Sequence, residues 1–220
     1  MPKKAVLFDL DGTLCDTLGD LTASMNYVLR TFDYPVHTVQ EMRTFVGNGL
    51  KMQVRRAMPN DAPDVHLMAG ESLFLAHYAK HCTELTAPYP GMEEAVARLR
   101  AAGLRLAVVT NKPHDCAVRV IAEKFQDGTF DLVRGAKPGG PLKPDPALLN
   151  EAMAELGVSP AEAVYVGDSD VDVAFAHAAG LQCLGCAWGF RGREHLERGG
   201  ADAIAEQPTE MADRLLREDI

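Results

Sequence analysis

The sequence predicts an α/β fold: a Rossmann-like parallel sheet with helices on both faces, carrying an inserted α-helical cap domain. Three features lead there. Short apolar runs alternate with segments of helical spacing through residues 89–220. Those short runs are apolar at successive positions, as strands covered on both faces are. Residues 16–88 show helical spacing and no convincing strand, so a helical segment interrupts the βα repeat after its first strand.

Taken in order, Val6–Phe8 is a buried strand that runs into Asp9-Leu10-Asp11-Gly12. Leu18, Leu21, Met25, Val28, Leu29 and Phe32 then form one helical stripe, and further helices are expected over 39–45, 50–57 and 65–81. Pro88, Pro90 and Gly91 mark the return. The predicted boundaries are 1–15 with 89–220 for the core and 16–88 for the cap. Residues 91–103 form a helix with Met92, Val96 and Leu99 inward and Gly103 as its stop. A strand at 104–110, a helix at 114–125 and a short strand at 130–135 follow. Pro146 opens and Gly157 closes the next helix. A strand at 163–168, a helix at 172–180, a last strand at 182–188 and a helix at 209–218 complete the chain. Right-handed crossovers line up the carboxyl ends of such strands along one edge, where open α/β sheets bind ligands.

Composition limits the function. The 220 residues are 47% hydrophobic and 24% charged, which suits one globular domain with an insertion. Twenty-two Lys+Arg against 31 Asp+Glu give a net charge of −9; with no basic stripe, nucleic acid is excluded as a partner. No run approaches the ~20 apolar residues of a membrane span. Met1-Pro2-Lys3-Lys4 leads straight into a strand without a secretory signal, so a cytoplasmic monomer or homodimer is expected. The cysteines are odd in number, Cys15, Cys82, Cys116, Cys183 and Cys186, which argues against a disulfide framework. Cys183 and Cys186 have C-x-x-C spacing, but they lie in a run that reads as buried strand and lack the second pair a zinc site would want.

The chemistry lies in what the strand ends carry. Asp9 and Asp11 follow the first, Thr110 and Asn111 the second, Asp168 the fourth, with Asp170 and Asp172 close behind; Lys143 lies in the loop before residue 146. Carboxylates gathered within a few ångströms raise one another's pKa. A divalent cation removes the conflict, and carboxylate oxygens without His or Cys favour Mg²⁺, which also takes substrate phosphate as a ligand. Thr110 and Asn111 offer uncharged donors to phosphate oxygens, Lys143 offers positive charge, and Gly12 permits a close turn that presents backbone N–H groups. One carboxylate can then attack phosphorus while another, two residues on, protonates the leaving oxygen and later deprotonates water.

The segments FDLDGTL (8–14), VVTNK (108–112), LKPDP (142–146) and VGDSDVD (166–172) resemble, in order, the four motifs of the haloacid dehalogenase superfamily. The resemblance spans the chain, and the helical insertion is similar to the cap of its phosphatase subgroup. It implies Asp9 as nucleophile, Asp11 as acid/base, and Thr110 and Lys143 as phosphate holders. It implies Mg²⁺ on Asp9, the Asp11 carbonyl and Asp168, with Asp172 supporting the metal through its waters. FVGNGL (45–50) and CAWGFRG (186–192) are similar to segments of phosphoglycolate phosphatases, which makes Gly47, Asn48 and Gly49 the expected cap contacts and 2-phosphoglycolate the expected substrate. A pyrophosphatase, a sugar phosphatase or a β-phosphoglucomutase is the alternative within the family; a non-catalytic binder of phosphorylated ligands would be expected to have lost Asp9 or Asp11. Haloacid dehalogenation is disfavoured because that branch lacks the second Asp. Arg43 and Lys51 flank the cap segment as further candidates, and the seven histidines show no ligand spacing.

Overall fold

The computed structural model describes residues 2–47 and 49–220, and the chain divides into two compact units, residues 1–16 with 88–220 and residues 17–87. In the first unit, β1 (Ala5–Phe8) is followed by the short β2 (Cys15–Asp16). The second unit holds α1 (Leu18–Thr31), α2 (Val39–Phe45), α3 (Leu50–Ala57) and α4 (Asp64–His81). After β3 (Ala87–Pro88) come α5 (Met92–Ala101), β4 (Arg105–Pro113), α6 (His114–Lys124), β5 (Leu132–Ala136) and α7 (Ala147–Leu156). Then β6 (Ala163–Gly167), α8 (Asp170–Ala178), β7 (Gln182–Cys186), α9 (Arg193–Gly199), β8 (Ala203–Ala205) and α10 (Pro208–Arg217) close the chain.

Six strands form one parallel sheet in the order β5-β4-β1-β6-β7-β8. The central strand β1 pairs Ala5 with Arg105 on one side and Ala163 on the other. All four of its residues are fully buried, as a strand covered on both faces requires. Ala5, Leu7, Ala107, Val109, Ala163 and Tyr165 point to one face, where Leu149 and Met153 of α7 and Val173 and Ala176 of α8 join their core. Helices α5 and α10 pack on each other and against β4, β7 and β8.

Helices α1 and α4 form the main packed pair of the second unit, with Leu21, Met25, Val28, Leu29, Phe74 and Tyr78 buried. The buried Asp20 carboxylate accepts the N–H groups of Leu85 (2.8 Å) and Thr86 (2.9 Å) and the Thr86 hydroxyl (2.7 Å), so its burial is matched by donors. Thr38 and Glu41 form a capping box at the start of α2.

Three details differ from the sequence reading. The sheet does not end at β7: Ala203–Ala205 adds an edge strand, too short to show a period. Cys15–Asp16 and Ala87–Pro88 pair as a two-residue ribbon, below the length at which alternation can be read. Strand β4 runs on to Pro113, but its register with β5 shifts between Val109 and Pro113. Thr110, Asn111 and Lys112 sit in that irregularity, a device that re-aims side chains beside functional sites. Cys183 and Cys186 are buried thiols on β7, and none of the five cysteines forms a disulfide. No helix among the described residues is long and apolar enough to cross a membrane.

Candidate active site

Strand β1 delivers Asp9. Its N–H continues the ladder to Val166 O (2.9 Å), and its Oδ1 accepts the N–H of Leu10 at 2.7 Å. The chain then turns tightly: Leu14 and Cys15 both donate to Leu10 O, and Gly12 N donates to Cys15 O at 2.9 Å. Gly12 adopts φ 84°, and a Cβ there would lie 2.7 Å from Cγ of Asp168. Both conditions demand glycine, one because the backbone is left-handed and the other because a carboxylate fills the space.

Lys143 lies inside this cluster, with a side chain 2% exposed. Its Nζ is 2.8 Å from Asp9 Oδ1 and 2.8 Å from Asp172 Oδ1. It stands 5.2 Å from the centre of the Tyr165 ring and 5.5 Å from that of Phe175. Asn111 fixes the loop, its side-chain oxygen accepting Lys143 N–H at 2.9 Å. Asp172 belongs to a capping box of α8: its Oδ2 accepts from Ser169 N (3.1 Å) and Ser169 Oγ (2.6 Å) while its Oδ1 faces the lysine. Burial pulls the Lys143 pKa down, but the Asp172 and Asp9 carboxylates outweigh it and hold the ammonium above the ordinary lysine range. Burial pushes Asp9 up to about 6, against the pull of Lys143 and with a further push from Asp172; the Thr110 hydroxyl also hydrogen-bonds to it.

Asp168 follows β6, 3% exposed. Burial first, then the Asp172 and Asp9 charges, drive its pKa well above the carboxylate range. The loop after β7 closes over it. Phe190 N–H donates to Asp168 Oδ2 at 2.7 Å, and the Trp188 indole donates to Thr13 O at 3.0 Å. A Cβ on Gly189 would overlap Asp168 Cβ and lie 2.5 Å from Gly12 O.

Asp11 turns a different way. Its Oδ1 pairs with Lys112 Nζ at 2.7 Å, the lysine side chain being 1% exposed and the aspartate's 19%. Lys112 is not legible as a site residue, because a lysine ending a strand ordinarily reaches solvent; here it lies in the β4 irregularity with its side chain buried. Nor does the CAWGFRG segment by itself show the contacts that Trp188, Gly189 and Phe190 make with Thr13 and Asp168.

Among the described residues, Asp9, Asp168 and Asp172 form a group whose ligand oxygens lie within 4.8 Å of one another. With Asp11 the site holds four carboxylates, against the two ammonium groups of Lys112 and Lys143. Counted as fully ionised, the state a bound cation favours, the carboxylates exceed the lysines by two negative charges on hard oxygen donors, which fits one divalent cation of the Mg²⁺ kind. Gly47 and Gly49 lie between α2 and α3 of the second unit, at φ 119° and 80°, and Arg56 donates to Gly47 O at 3.2 Å. Asn48 lies outside the described residues.

The profile of haloacid dehalogenase-like hydrolases matches residues 6–186. The chain belongs to that family. Within it, the chain is a phosphatase, as its relatives are. It is 35% identical over 217 residues to a phosphoglycolate phosphatase of Pseudomonas putida, covering 96% of this chain and 77% of that one. It is 36% identical over 208 residues to the plasmid-borne phosphoglycolate phosphatase of Cupriavidus necator, covering 94% and 90%. A crystal structure of a Lactobacillus delbrueckii subsp. bulgaricus protein, predicted to be a phosphoglycolate phosphatase, superposes with a TM-score of 0.91 at 30% identity over 98% and 99% of the two chains. CbbY from Rhodobacter sphaeroides, solved in complex with phosphate, superposes with a TM-score of 0.73 at 27% identity over 95% and 96%.

Proposed function

We propose that the chain hydrolyses 2-phosphoglycolate through a phosphoryl group carried on Asp9, with Mg²⁺ as cofactor. The observation that carries the chemistry is the Asp9 carboxylate at the end of the central strand, oriented by Leu10 N–H and Lys143 on Oδ1. The substrate rests on relatives named for phosphoglycolate at 35% and 36% identity.

Asp9 Oδ2 attacks phosphorus and the ester P–O bond breaks. Asp11 gives a proton to the departing glycolate oxygen, then takes one from a water whose oxygen attacks the same phosphorus. Inorganic phosphate leaves and Asp9 returns to a carboxylate. Lys143 and the Thr110 hydroxyl hold phosphoryl oxygens, and the N–H groups after Gly12 add donors to that cradle. Asn111 keeps Lys143 in place through its backbone, and Asp172 keeps the ammonium aimed. Asp9, the Asp11 carbonyl and Asp168 would hold Mg²⁺, with Asp172 supporting it through water, and the bound cation would neutralise phosphoryl charge. Residues 16–88 act as the cap, and Gly47, Asn48 and Gly49 contribute to recognition of the leaving group.

The test is an assay of purified protein with Mg²⁺ on 2-phosphoglycolate, pyrophosphate and a hexose phosphate, repeated in EDTA and with Asp9→Asn. Preference for 2-phosphoglycolate, loss of activity in EDTA and loss in Asp9→Asn without change in fold are expected. Preference for either of the other two substrates would overturn the substrate assignment. A tenth of wild-type activity retained by Asp9→Asn would overturn the nucleophile.

A further inference from the structure

The sheet ladder alone does not fix the two side chains assigned to the phosphoryl oxygens. Thr110 lies just past Val109, where the register of β4 with β5 shifts, and Lys143 comes from the loop before α7. One side chain reaches behind both. Tyr165 of β6 is fully buried, and the sheet order places β1 between its strand and β4. Its hydroxyl nevertheless donates to Val109 O at 2.8 Å, on the peptide group that joins Val109 to Thr110. Its ring centre lies 5.2 Å from Lys143 Nζ, and the Phe175 ring, T-shaped against it at 5.4 Å, stands 5.5 Å from the same ammonium. The hydroxyl is also 3.5 Å from Asp172 Oδ1, the oxygen that accepts Lys143 Nζ; its one proton serves the shorter bond, to Val109. A buried hydroxyl costs free energy unless it is bonded, so phenylalanine would serve packing alone. What tyrosine adds is a bond to the backbone beside Thr110.

We propose that Tyr165 is a positioning residue for phosphoryl binding. Its hydroxyl fixes the Val109 carbonyl and through it the Thr110 hydroxyl, while its ring face supports the Lys143 ammonium. Two phosphoryl ligands from separate segments are thereby held at one spacing by a single side chain from a third. Donors placed in advance stabilise charge in the transition state without reorganising, and small displacements of them are costly. The inference rests on the reading of Thr110 and Lys143 as phosphoryl ligands and deepens it.

The experiment measures kcat/KM for p-nitrophenyl phosphate and the inhibition constant of inorganic phosphate in the Mg²⁺-loaded wild type, Tyr165→Phe, Thr110→Val and the double variant. Phenylalanine keeps the ring beside Lys143 and removes only the hydroxyl. Tyr165→Phe should bind phosphate about tenfold more weakly, the scale of one hydrogen bond, and lose kcat/KM to match, while its Mg²⁺ affinity without phosphate stays that of the wild type. In the Thr110→Val background the same change should cost less than about twofold, since the group it positions is gone. Tyr165→Leu, or Tyr165→Met where leucine fails to fold, removes the ring as well and should lose about 100-fold; a loss no larger than that of Tyr165→Phe overturns the part assigned to the ring. Wild-type phosphate affinity in Tyr165→Phe overturns the proposal. So do losses that multiply in full in the double variant, or a Mg²⁺ affinity that falls by the same factor as the phosphate affinity, because the hydroxyl then serves the fold or the carboxylates. Failure of the underlying reading is separate: it would appear as a Thr110→Val enzyme as active as the wild type, and it would take the proposal with it.

Discussion

Lys143→Met isolates the charge balance of the site. Methionine keeps much of the apolar stem against Tyr165 and Phe175 but removes the ammonium that stands 2.8 Å from Asp9 and 2.8 Å from Asp172. Removing one partner from a buried ion pair costs about 3–5 kcal/mol. Even beside Lys143, Asp9 titrates at about 6 against a reference of 3.8. At 1.36 kcal/mol per pKa unit, that already disfavours ionised Asp9 in the folded state by roughly 3 kcal/mol. Because the folded value lies above the unfolded one, the penalty is absent below about pH 4. It builds as pH rises toward the folded value and is complete above it. Without the lysine the folded value rises further. Metal-free Lys143→Met should therefore lose about 3–5 kcal/mol at pH 8 and much less at pH 5, and it should be inactive at both. Urea unfolding in EDTA measures this, followed by fluorescence of the chain's single tryptophan, Trp188, whose indole is bonded to Thr13 O. Adding Asp172→Asn should restore part of the stability at pH 8 and none of the activity. An equal loss at both pH values, or no recovery in the double variant, would refute the electrostatic account.

Gly189→Ala should push a methyl into Asp168 and Gly12; isothermal titration should find Mg²⁺ bound about 10–100-fold more weakly, the usual cost of disturbing a ligand's support. Asp168→Asn should remove the Mg²⁺-induced rise in melting temperature, and in the wild type that rise should be larger at pH 8 than at pH 5, where raised pKa values keep protons on Asp9 and Asp168. Gly47→Val and Gly49→Val should lower kcat/KM for 2-phosphoglycolate more than for p-nitrophenyl phosphate, since each places a β-branched residue at a positive φ in the segment assigned to the leaving group; equal losses on both esters would leave that segment with a structural role alone.

Much of the fold and its chemistry could be read from residue order, because strands β1 and β6 are continuous apolar runs that stop at acids and the helices carry their own stops. Gly157, in the left-handed region at φ 65°, and Pro146 mark α7 from sequence alone. What escaped depends on contacts between distant segments. Ala203–Ala205 is a strand only because Leu184–Cys186 lies beside it. Lys112 reads as a strand-end lysine, and its burial against Asp11 shows only in the folded chain. Gly189 reads as a loop glycine until the Asp168 side chain is seen to fill the space its own would occupy. Asp172 reads from sequence as support for a metal; that one of its oxygens caps α8 while the other turns to Lys143 is visible only in three dimensions.

The place of β1 in the sheet has a consequence for how the enzyme is made. This four-residue strand is translated well before the strands it pairs with, Arg105–Val108 and Ala163–Val166. It leaves the ribosome with both edges unpaired and waits through the synthesis of the whole second unit and most of the first. Closing loops of that length makes its docking a late, slow event, since long-range parallel pairing yields stability only after the entropy of closure has been met. Asp9 and Asp11 arrive with it. Truncated or stalled chains therefore lack an assembled nucleophile, and during synthesis the apolar run Ala5–Phe8 stays uncovered until its partners arrive.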